Sequence, residues 1–220
     1  MPPTPDLQGV LSFSRALSRN NTREWFTAHR AEFDVASETF ERVVGTLIAA
    51  ISRFDPLGPL EPKDCIFRVY RDIRFSTDKT PYKPHFSAYM APGGRKATRL
   101  GYYLHLQAGG SFLGGGFHMP EPRQLAAFRD AIAEDAKPFR RITGAKPFRA
   151  MFGEIEGERL KTAPRGFPKD HPELGLLRLK SVTASRPFPD VMVTGPGFQQ
   201  EVLATCKALR PFLEYLGALT

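Results

Sequence analysis

Residues 67–85 read FRVYRDIRFSTDKTPYKPH and hold 5 basic residues against 2 acidic ones. Apolar and polar residues alternate over 65–71, which predicts a β-strand. Residues 76–78 then form a turn cluster, because Ser, Thr and Asp side chains bond their own backbone. Pro81 and Pro84 keep the following residues extended and exclude them from a central strand. We therefore predict a strand followed by a stiffened loop that presents cations.

Positive charge is concentrated in two segments of the chain, whose formal net charge is +8. Residues 63–105 carry 9 basic and 3 acidic residues, and residues 137–190 carry 12 and 6, so each segment has a net charge of +6. The rest of the chain is net acidic. Such an uneven distribution favours an acidic ligand or partner over a general effect on solubility.

Length and composition limit the class of protein. The 220 residues are 41% hydrophobic and 25% charged, which is typical of a soluble globular protein. No stretch is apolar enough to cross a bilayer, and the N-terminal residues lack the pattern of a secretory signal. Cys65 and Cys206 match no metal-binding spacing. We therefore predict a cytoplasmic protein with reduced thiols and no membrane partner.

Two helices are predicted before the basic segment. Asp6 is placed to cap the first of them. Apolar residues at helical spacing predict a long second helix over residues 22–54 with one buried face. Asn21 and Glu24 have the form of a capping box at its start.

Three segments after the basic loop alternate apolar and polar residues, which predicts strands at 86–90, 102–107 and 112–119. Glycine pairs between these segments suit tight turns. With the strand at 65–71, they form a predicted antiparallel meander. Polar residues that include His105 share one face of the strand at 102–107. Residues 114–116 are all glycine, which is costly in a strand unless backbone or a ligand approaches closely, and we interpret them as the floor of a cleft.

The C-terminal half adds further elements. Residues 120–135 have the pattern of a helix, and residues 181–186 that of a strand. The last helix follows Gly197, and Pro211 is expected to kink or divide it. The predicted fold is a single α+β domain over residues 1–220, an antiparallel sheet meander with the long N-terminal helix and the C-terminal helix packed on it.

The motif RxYRDxRFSxDKxPYKxH of the basic segment resembles the signature of a family that is catalogued only as a conserved domain of unknown function. Other segments share the resemblance and extend it over nearly the whole chain: NNTREWF at 20–26, GGG at 114–116 with Met119-Pro120, PRGF at 164–167 and DHP at 170–172. The resemblance implies no reaction, because none is assigned to the family.

The cations of the basic segment predict a site for a small phosphorylated or carboxylated ligand. Arginine donates two parallel hydrogen bonds to such groups, whereas lysine acts as a point charge. Hydroxyl groups and a histidine add neutral donors, and glycine after Arg165 lets that loop approach a ligand. The predicted ligand-binding residues are Arg68, Arg71, Arg74, Ser76, Lys79, Tyr82, Lys83, His105 and Arg165.

Two other interpretations of the same segment remain open. Asp72 and Asp78 can pair with the arginines, which would make the motif a structural ion-pair network of a scaffold or interaction protein. Cations interleaved with aromatic residues also fit a nucleic-acid-binding module. The two acids cannot neutralise all five bases, so the small-ligand interpretation is preferred.

The histidines and the absent motifs limit the chemistry further. His85, His105 and His118 lie on or beside the predicted meander, but their spacing matches no metal-binding motif, and we predict no metal. His105 is a candidate general base, with Asp72 or Asp78 nearby. The sequence holds no dinucleotide fingerprint, phosphate loop or nucleophile elbow. Cofactor, reaction and oligomeric state are not defined by the sequence.

Overall fold

The computed structural model describes residues 6–155 and 157–220, and the chain forms two compact units. The first unit contains the residues up to Thr98, together with Tyr102–Leu113 and Pro187–Ala204. The second unit contains Arg99–Gly101, Gly114–Arg186 and Thr205–Thr220. That residues 1–220 form a single domain stays a prediction.

The N-terminal helices are α1 (Gln8–Arg19), α2 (Arg23–Ala28), α3 (Arg30–Ile51) and α4 (Pro62–Cys65). The predicted helix 22–54 is therefore broken at His29. The Nδ1 atom of His29 lies 2.8 Å from the Trp25 carbonyl oxygen, and the two rings stack at 4.0 Å. A side chain that competes for a helical carbonyl in this way favours a break. The predicted capping box of Asn21 and Glu24 does not start the helix. The N-cap of α2 is Thr22, whose hydroxyl accepts a hydrogen bond from the Trp25 amide at 3.2 Å.

The sheet has four antiparallel strands in the order β1-β2-β3-β4: β1 (Phe86–Met90), β2 (Tyr102–Leu106), β3 (Ser111–Phe117) and β4 (Val182–Phe188). A short 3₁₀ helix, Gly94–Lys96, lies between β1 and β2. The α+β class and the antiparallel meander are confirmed, but the predicted strand 65–71 is wrong. Ile66 makes an isolated bridge to Ala88, after which the chain leaves the sheet and Tyr70 pairs with Tyr82 instead.

The β1–β2 register confirms the predicted two faces of the sheet. Ala88 pairs with Leu104 and Ser87 pairs with His105. Tyr102, Leu104 and Leu106 are buried, whereas Tyr103 and His105 are half-buried. On the covered side of β1, the Phe33 ring of α3 stacks on Phe86 at 5.9 Å. The opposite side of β2 therefore presents its polar side chains to partial solvent.

The glycine run of β3 does not form the floor of a cleft, and that prediction is wrong. A Cβ atom on Gly114 would lie 2.7 Å from the Ala184 carbonyl oxygen of β4. One on Gly116, whose φ is +118°, would lie 2.3 Å from the Val182 carbonyl oxygen. The run lets the protein's own strands approach, which is the other condition under which glycine is tolerated there.

The remaining helices are α5 (Pro122–Glu134), α6 (Lys137–Gly144), α7 (Lys146–Phe152), α8 (Leu174–Leu177), α9 (Asp190–Val193) and α10 (Phe198–Gly217). The C-terminal helix α10 continues through Pro211 to Gly217, so Pro211 does not divide it, and the alternative of a kink there stays a prediction. In the second unit, Leu209 and Leu213 of α10 lie against Gly115 of β3. No helix among the described residues is long and apolar enough to span a membrane.

Candidate functional site

Arg71 organises the loop that follows the isolated Tyr70–Tyr82 bridge. Its guanidinium donates to the Asp78 carboxylate and to the Thr80 hydroxyl, and lies 3.5 Å from the Ser76 hydroxyl. The Arg71 side chain is 25% exposed. The Arg71 guanidinium and the Thr80 amide and hydroxyl lower the pKa of Asp78 to about 2. We call Arg71, Ser76, Asp78 and Thr80 the loop network; Arg71 and Ser76, both predicted ligand residues, are bound within it.

Two more predicted cations are bonded to the same loop. Arg74 makes a two-pronged contact with Asp72, with nitrogen–oxygen distances of 2.9 and 2.7 Å. The Lys79 ammonium donates to the Ile73 carbonyl oxygen at 3.0 Å. Hydrogen bonds from the side chain and backbone of Arg74 lower the pKa of Asp72. Both carboxylates that were considered as partners of His105 are thus held by arginines.

The returning arm of the loop, residues 81–84, is held by hydrogen bonds to two residues far away in the chain. The Asn21 side chain donates to the Tyr82 carbonyl oxygen at 2.9 Å and accepts from the Tyr82 amide at 3.1 Å. The Tyr82 ring is 6% exposed and stacks on Phe26 at 4.0 Å. The Ser14 hydroxyl donates to the Pro84 carbonyl oxygen at 2.7 Å. These contacts fix the backbone on both sides of Lys83.

Next to this arm, six half-buried side chains meet on the polar side of the sheet. His85 and His105 lie with ring centroids 4.1 Å apart, and His105 stacks on Phe112 at 4.8 Å. The Lys83 ammonium lies 5.7 Å from the centre of the Phe67 ring, which is 6.0 Å from Tyr103. We call this group the sheet-face cluster: Phe67, Lys83, His85, Tyr103, His105 and Phe112. Of these residues, only Lys83 and His105 were predicted as ligand-binding.

A chain of hydrogen bonds runs through the sheet-face cluster. The Tyr103 hydroxyl lies 3.2 Å from Nδ1 of His105, and Nε2 of His105 lies 3.1 Å from the Gln107 side-chain oxygen. An amide oxygen only accepts, so Nε2 carries the hydrogen and Nδ1 accepts from tyrosine. Burial raises the pKa of the Tyr103 hydroxyl, and the Ser87 side chain acts in the opposite direction. His105 is therefore oriented by neutral groups rather than by a carboxylate.

The cations in and beside the sheet-face cluster form no ion pair among the described residues, although the charge of Arg68 acts on the Asp72 carboxylate from a distance. Burial, and secondly the charge of Arg68, lower the pKa of Lys83. Burial, followed by the effects of His105 and Lys83, lowers the pKa of His85 to about 4. Burial also lowers the pKa of His105. Within residues 6–155 and 157–220, no carboxylate pairs with Arg68 or Lys83, and no group hydrogen-bonds the imidazole of His85.

The remaining candidates belong to the second unit. Arg165 is exposed on a turn, and Gly166 after it has a φ of +92°. His118 is exposed. Among the residues that the structure describes, no three His, Cys, Asp or Glu side chains are arranged to hold a metal ion. The structure therefore brings together Lys83, His85 and His105, and commits Arg71 and Arg74 to the loop.

The lowered pKa of His85 predicts a pH dependence of stability. An unfolded histidine takes up a proton near its ordinary pKa of 6.5, whereas folded His85 does so only at about 4. The unfolded state therefore binds more protons between these values, and stability falls as the pH is lowered from 6.5 to 4.

We expect the melting temperature to fall over this interval, and to fall less steeply in a His85→Asn variant. His118→Asn, which changes an exposed histidine, should keep the slope of the wild type. A slope that is equally steep in His85→Asn and in the wild type would show that His85 is not the group responsible.

Together the fold and this site define an α+β protein with a polar, partly open sheet face beside a basic loop. The chain belongs to a family described as conserved hypothetical proteins (DUF2461), whose sequence profile matches residues 9–215. No curated protein and no solved structure matches the chain.

Proposed function

We propose that the protein binds a small phosphorylated or carboxylated ligand at the sheet-face cluster, with Lys83 as the charge partner and His85 as a hydrogen-bond donor. The observation that carries this proposal is that two half-buried polar side chains, Lys83 and His85, have no side-chain hydrogen-bond partner among the described residues. Neither group is sealed from water, since no described side-chain polar atom is both fully buried and without a hydrogen-bond partner, so both remain accessible to a ligand. An anionic ligand would satisfy both.

The surroundings of Lys83 favour an anion over a neutral ligand. Arg68, Lys83 and the two imidazoles form a region in which positive charge is disfavoured, as the lowered pKa values of Lys83 and His85 indicate. A bound anion reverses this effect, because an opposite charge at close range favours the protonated form. The Phe67 ring beside Lys83 and the Phe112 ring beside His105 would supply apolar contacts to the ligand.

The fixed backbone gives the proposed site its rigidity. Asn21 holds Tyr82 and Ser14 holds Pro84, so Lys83 is presented from a segment bonded on both sides. A group that is already positioned loses less conformational freedom when the ligand binds. In this proposal Arg71, Arg74, Ser76 and Lys79 shape the loop and do not contact the ligand.

Lys83→Met tests the proposal, because it removes the charge and keeps most of the apolar volume. Thermal shift would be measured with inorganic phosphate, phosphate monoesters, and di- and tricarboxylates. We expect an anion that raises the melting temperature of the wild type to bind Lys83→Met at least about tenfold more weakly.

Lys79→Met is the matched control, since it removes an exposed ammonium of the same segment that donates to a backbone carbonyl oxygen. It should bind the anion as the wild type does. Equal affinity of the wild type and Lys83→Met would rule out the proposed site. So would a panel in which no anion stabilises the wild type.

A structural role for the loop is a second candidate function of the motif. This role is favoured by the loop network, in which the Arg71 guanidinium is hydrogen-bonded to three side chains of the same loop. This role and ligand binding at Lys83 involve different residues, so both can hold.

A further inference from the structure

The second unit contains a short repeat with a strong charge pattern. The sequence Lys-Pro-Phe-Arg occurs at 137–140 and again at 146–149. Each copy begins a helix, α6 or α7, with proline in its first turn. In both copies the phenylalanine is buried while the lysine and arginine are exposed. No acidic residue occurs between Asp135 and Glu154.

The two copies lie close together in the folded unit. The ring of Phe139 lies 5.9 Å from Phe212 of α10, and the ring of Phe148 lies 5.5 Å from the same residue. Both helices thus begin over one aromatic ring, so the exposed cations of the two copies belong to neighbouring elements. Arg140 is paired with the Glu173 carboxylate. The other four cations have no ion pair among the described residues: Lys137, Arg141, Lys146 and Arg149.

Stability of the helices accounts for only two of the four cations, since Arg141 and Arg149 lie in the last turns of α6 and α7, where the helix dipole favours a cation. The N-terminus of a helix carries a partial positive charge, so Lys137 and Lys146, each at the first position of its helix, are placed where a cation is unfavourable. Like charges on neighbouring turns also repel one another. The second unit as a whole holds 17 basic and 10 acidic residues, which is +7 of the net +8. A surface on which two cations oppose the helix dipole and positive charge is concentrated is suited to a polyanionic partner.

We infer that the exposed surface of α6 and α7 binds the phosphate backbone of a nucleic acid duplex. A membrane-binding helix would add large apolar side chains to its cations. The exposed large hydrophobic residues of the described chain lie elsewhere, at Val35, Tyr70, Phe75, Met119 and Val191. The absence of an exposed aromatic ring on α6 and α7, both fully described, also removes the platform on which unpaired bases stack. Contact with phosphates alone predicts binding without sequence preference.

Fluorescence anisotropy with a labelled DNA duplex, at a series of salt concentrations, tests the inference. The variant changes all four cations to glutamine: Lys137→Gln, Arg141→Gln, Lys146→Gln and Arg149→Gln. Each phosphate contact contributes about −0.9 to the slope of log affinity against log salt. We expect the slope of the variant to be smaller by about 3 to 4, and its affinity at low salt to fall at least about tenfold.

The matched control removes the same charge from exposed cations of the first unit: Arg19→Gln, Arg23→Gln, Arg53→Gln and Lys96→Gln. It should keep the affinity and the slope of the wild type. Two double variants, Lys137→Gln with Lys146→Gln and Arg141→Gln with Arg149→Gln, should each remove about half of the slope change. They also provide the test if the fourfold variant unfolds.

Several results would overturn the inference. One is an equal loss of duplex affinity in the fourfold variant and in its control, which would indicate a general effect of net charge. Another is a wild type that does not bind the duplex at low salt. A third is binding to vesicles rich in anionic lipid without binding to the duplex, which would identify a membrane surface as the partner. Lys83→Met should leave duplex binding unchanged, so failure here is distinguishable from failure of the proposed ligand site.

Discussion

Replacing Gly116 with alanine should lower the free energy of unfolding by about 3 kcal/mol. The new Cβ atom would lie 2.3 Å from the Val182 carbonyl oxygen and 3.0 Å from the Phe212 ring. The backbone φ of +118° is also one that residues with side chains rarely adopt. Relief of the clash would move β4 backbone, which cannot yield as a flexible side chain does. Urea unfolding monitored by circular dichroism measures the loss.

Gly144→Ala is the control for that experiment. Gly144 is the last residue of α6, and a Cβ atom there would meet nothing within 4 Å. Its unfolding free energy should remain within about 0.5 kcal/mol of the wild type. If Gly116→Ala were equally neutral, β3 and β4 would not approach as closely as described. The earlier interpretation of the glycine run as an open floor would then be revived.

The second large effect is expected at Arg71. Arg71→Ala removes hydrogen bonds to three side chains of the loop and leaves the Asp78 carboxylate without its cation. We expect a loss of about 1–2 kcal/mol in unfolding free energy, and faster proteolysis within residues 72–80. Because the pKa of Asp78 is lowered to about 2, the contribution of the pair is present above pH 3.8 and is lost as the pH falls toward 2.

Arg74→Ala is the matched control, because Arg74 also pairs with an aspartate of the loop but its side chain is 76% exposed. Exposed ion pairs contribute little to stability, so the unfolding free energy of this variant should be close to that of the wild type. A contrary result would be an Arg71→Ala protein of unchanged stability that no longer binds the anion. That result would restore Arg71 as a ligand-binding residue.

Several elements that depend on neighbouring residues were predicted correctly from the sequence, although the same kind of alternation over 65–71 predicted a strand that does not form. The alternation in β2 placed Tyr103 and His105 on the polar face because successive side chains in a strand point to opposite sides. The helical apolar spacing identified α3. Its break at His29 was missed, because it depends on a bond from one side chain to one carbonyl group. Spacing patterns contain no information on such a bond.

Contacts between distant residues account for most of what the sequence did not predict. Asn21 bonds to Tyr82 across 61 positions, and Ser14 bonds to Pro84 across 70. Asn21 was interpreted as a helix cap because that role is the common one before a helix. The glycine run was ambiguous for a similar reason, since glycine equally permits the approach of a ligand or of another strand.

The basic segment shows how charge counts and geometry differ. Five cations against two acids indicated an unsatisfied site, and Lys83 and Arg68 do lack a carboxylate partner among the described residues. The counts could not show that Arg71 and Arg74 would take the two available carboxylates. That partition follows from the fold of the loop, in which Asp72 and Asp78 lie within reach of the two arginines.

An NMR titration of His85 tests anion binding at the sheet-face cluster most directly. The imidazole would be titrated in the wild type and in Lys83→Met, with and without the anion that stabilises the wild type most. Burial and neighbouring positive charge hold the pKa of His85 at about 4, so a bound anion should raise it toward 6.5 in the wild type and not in the variant. A His85 pKa that the anion leaves unchanged, or shifts equally in both proteins, would contradict the account.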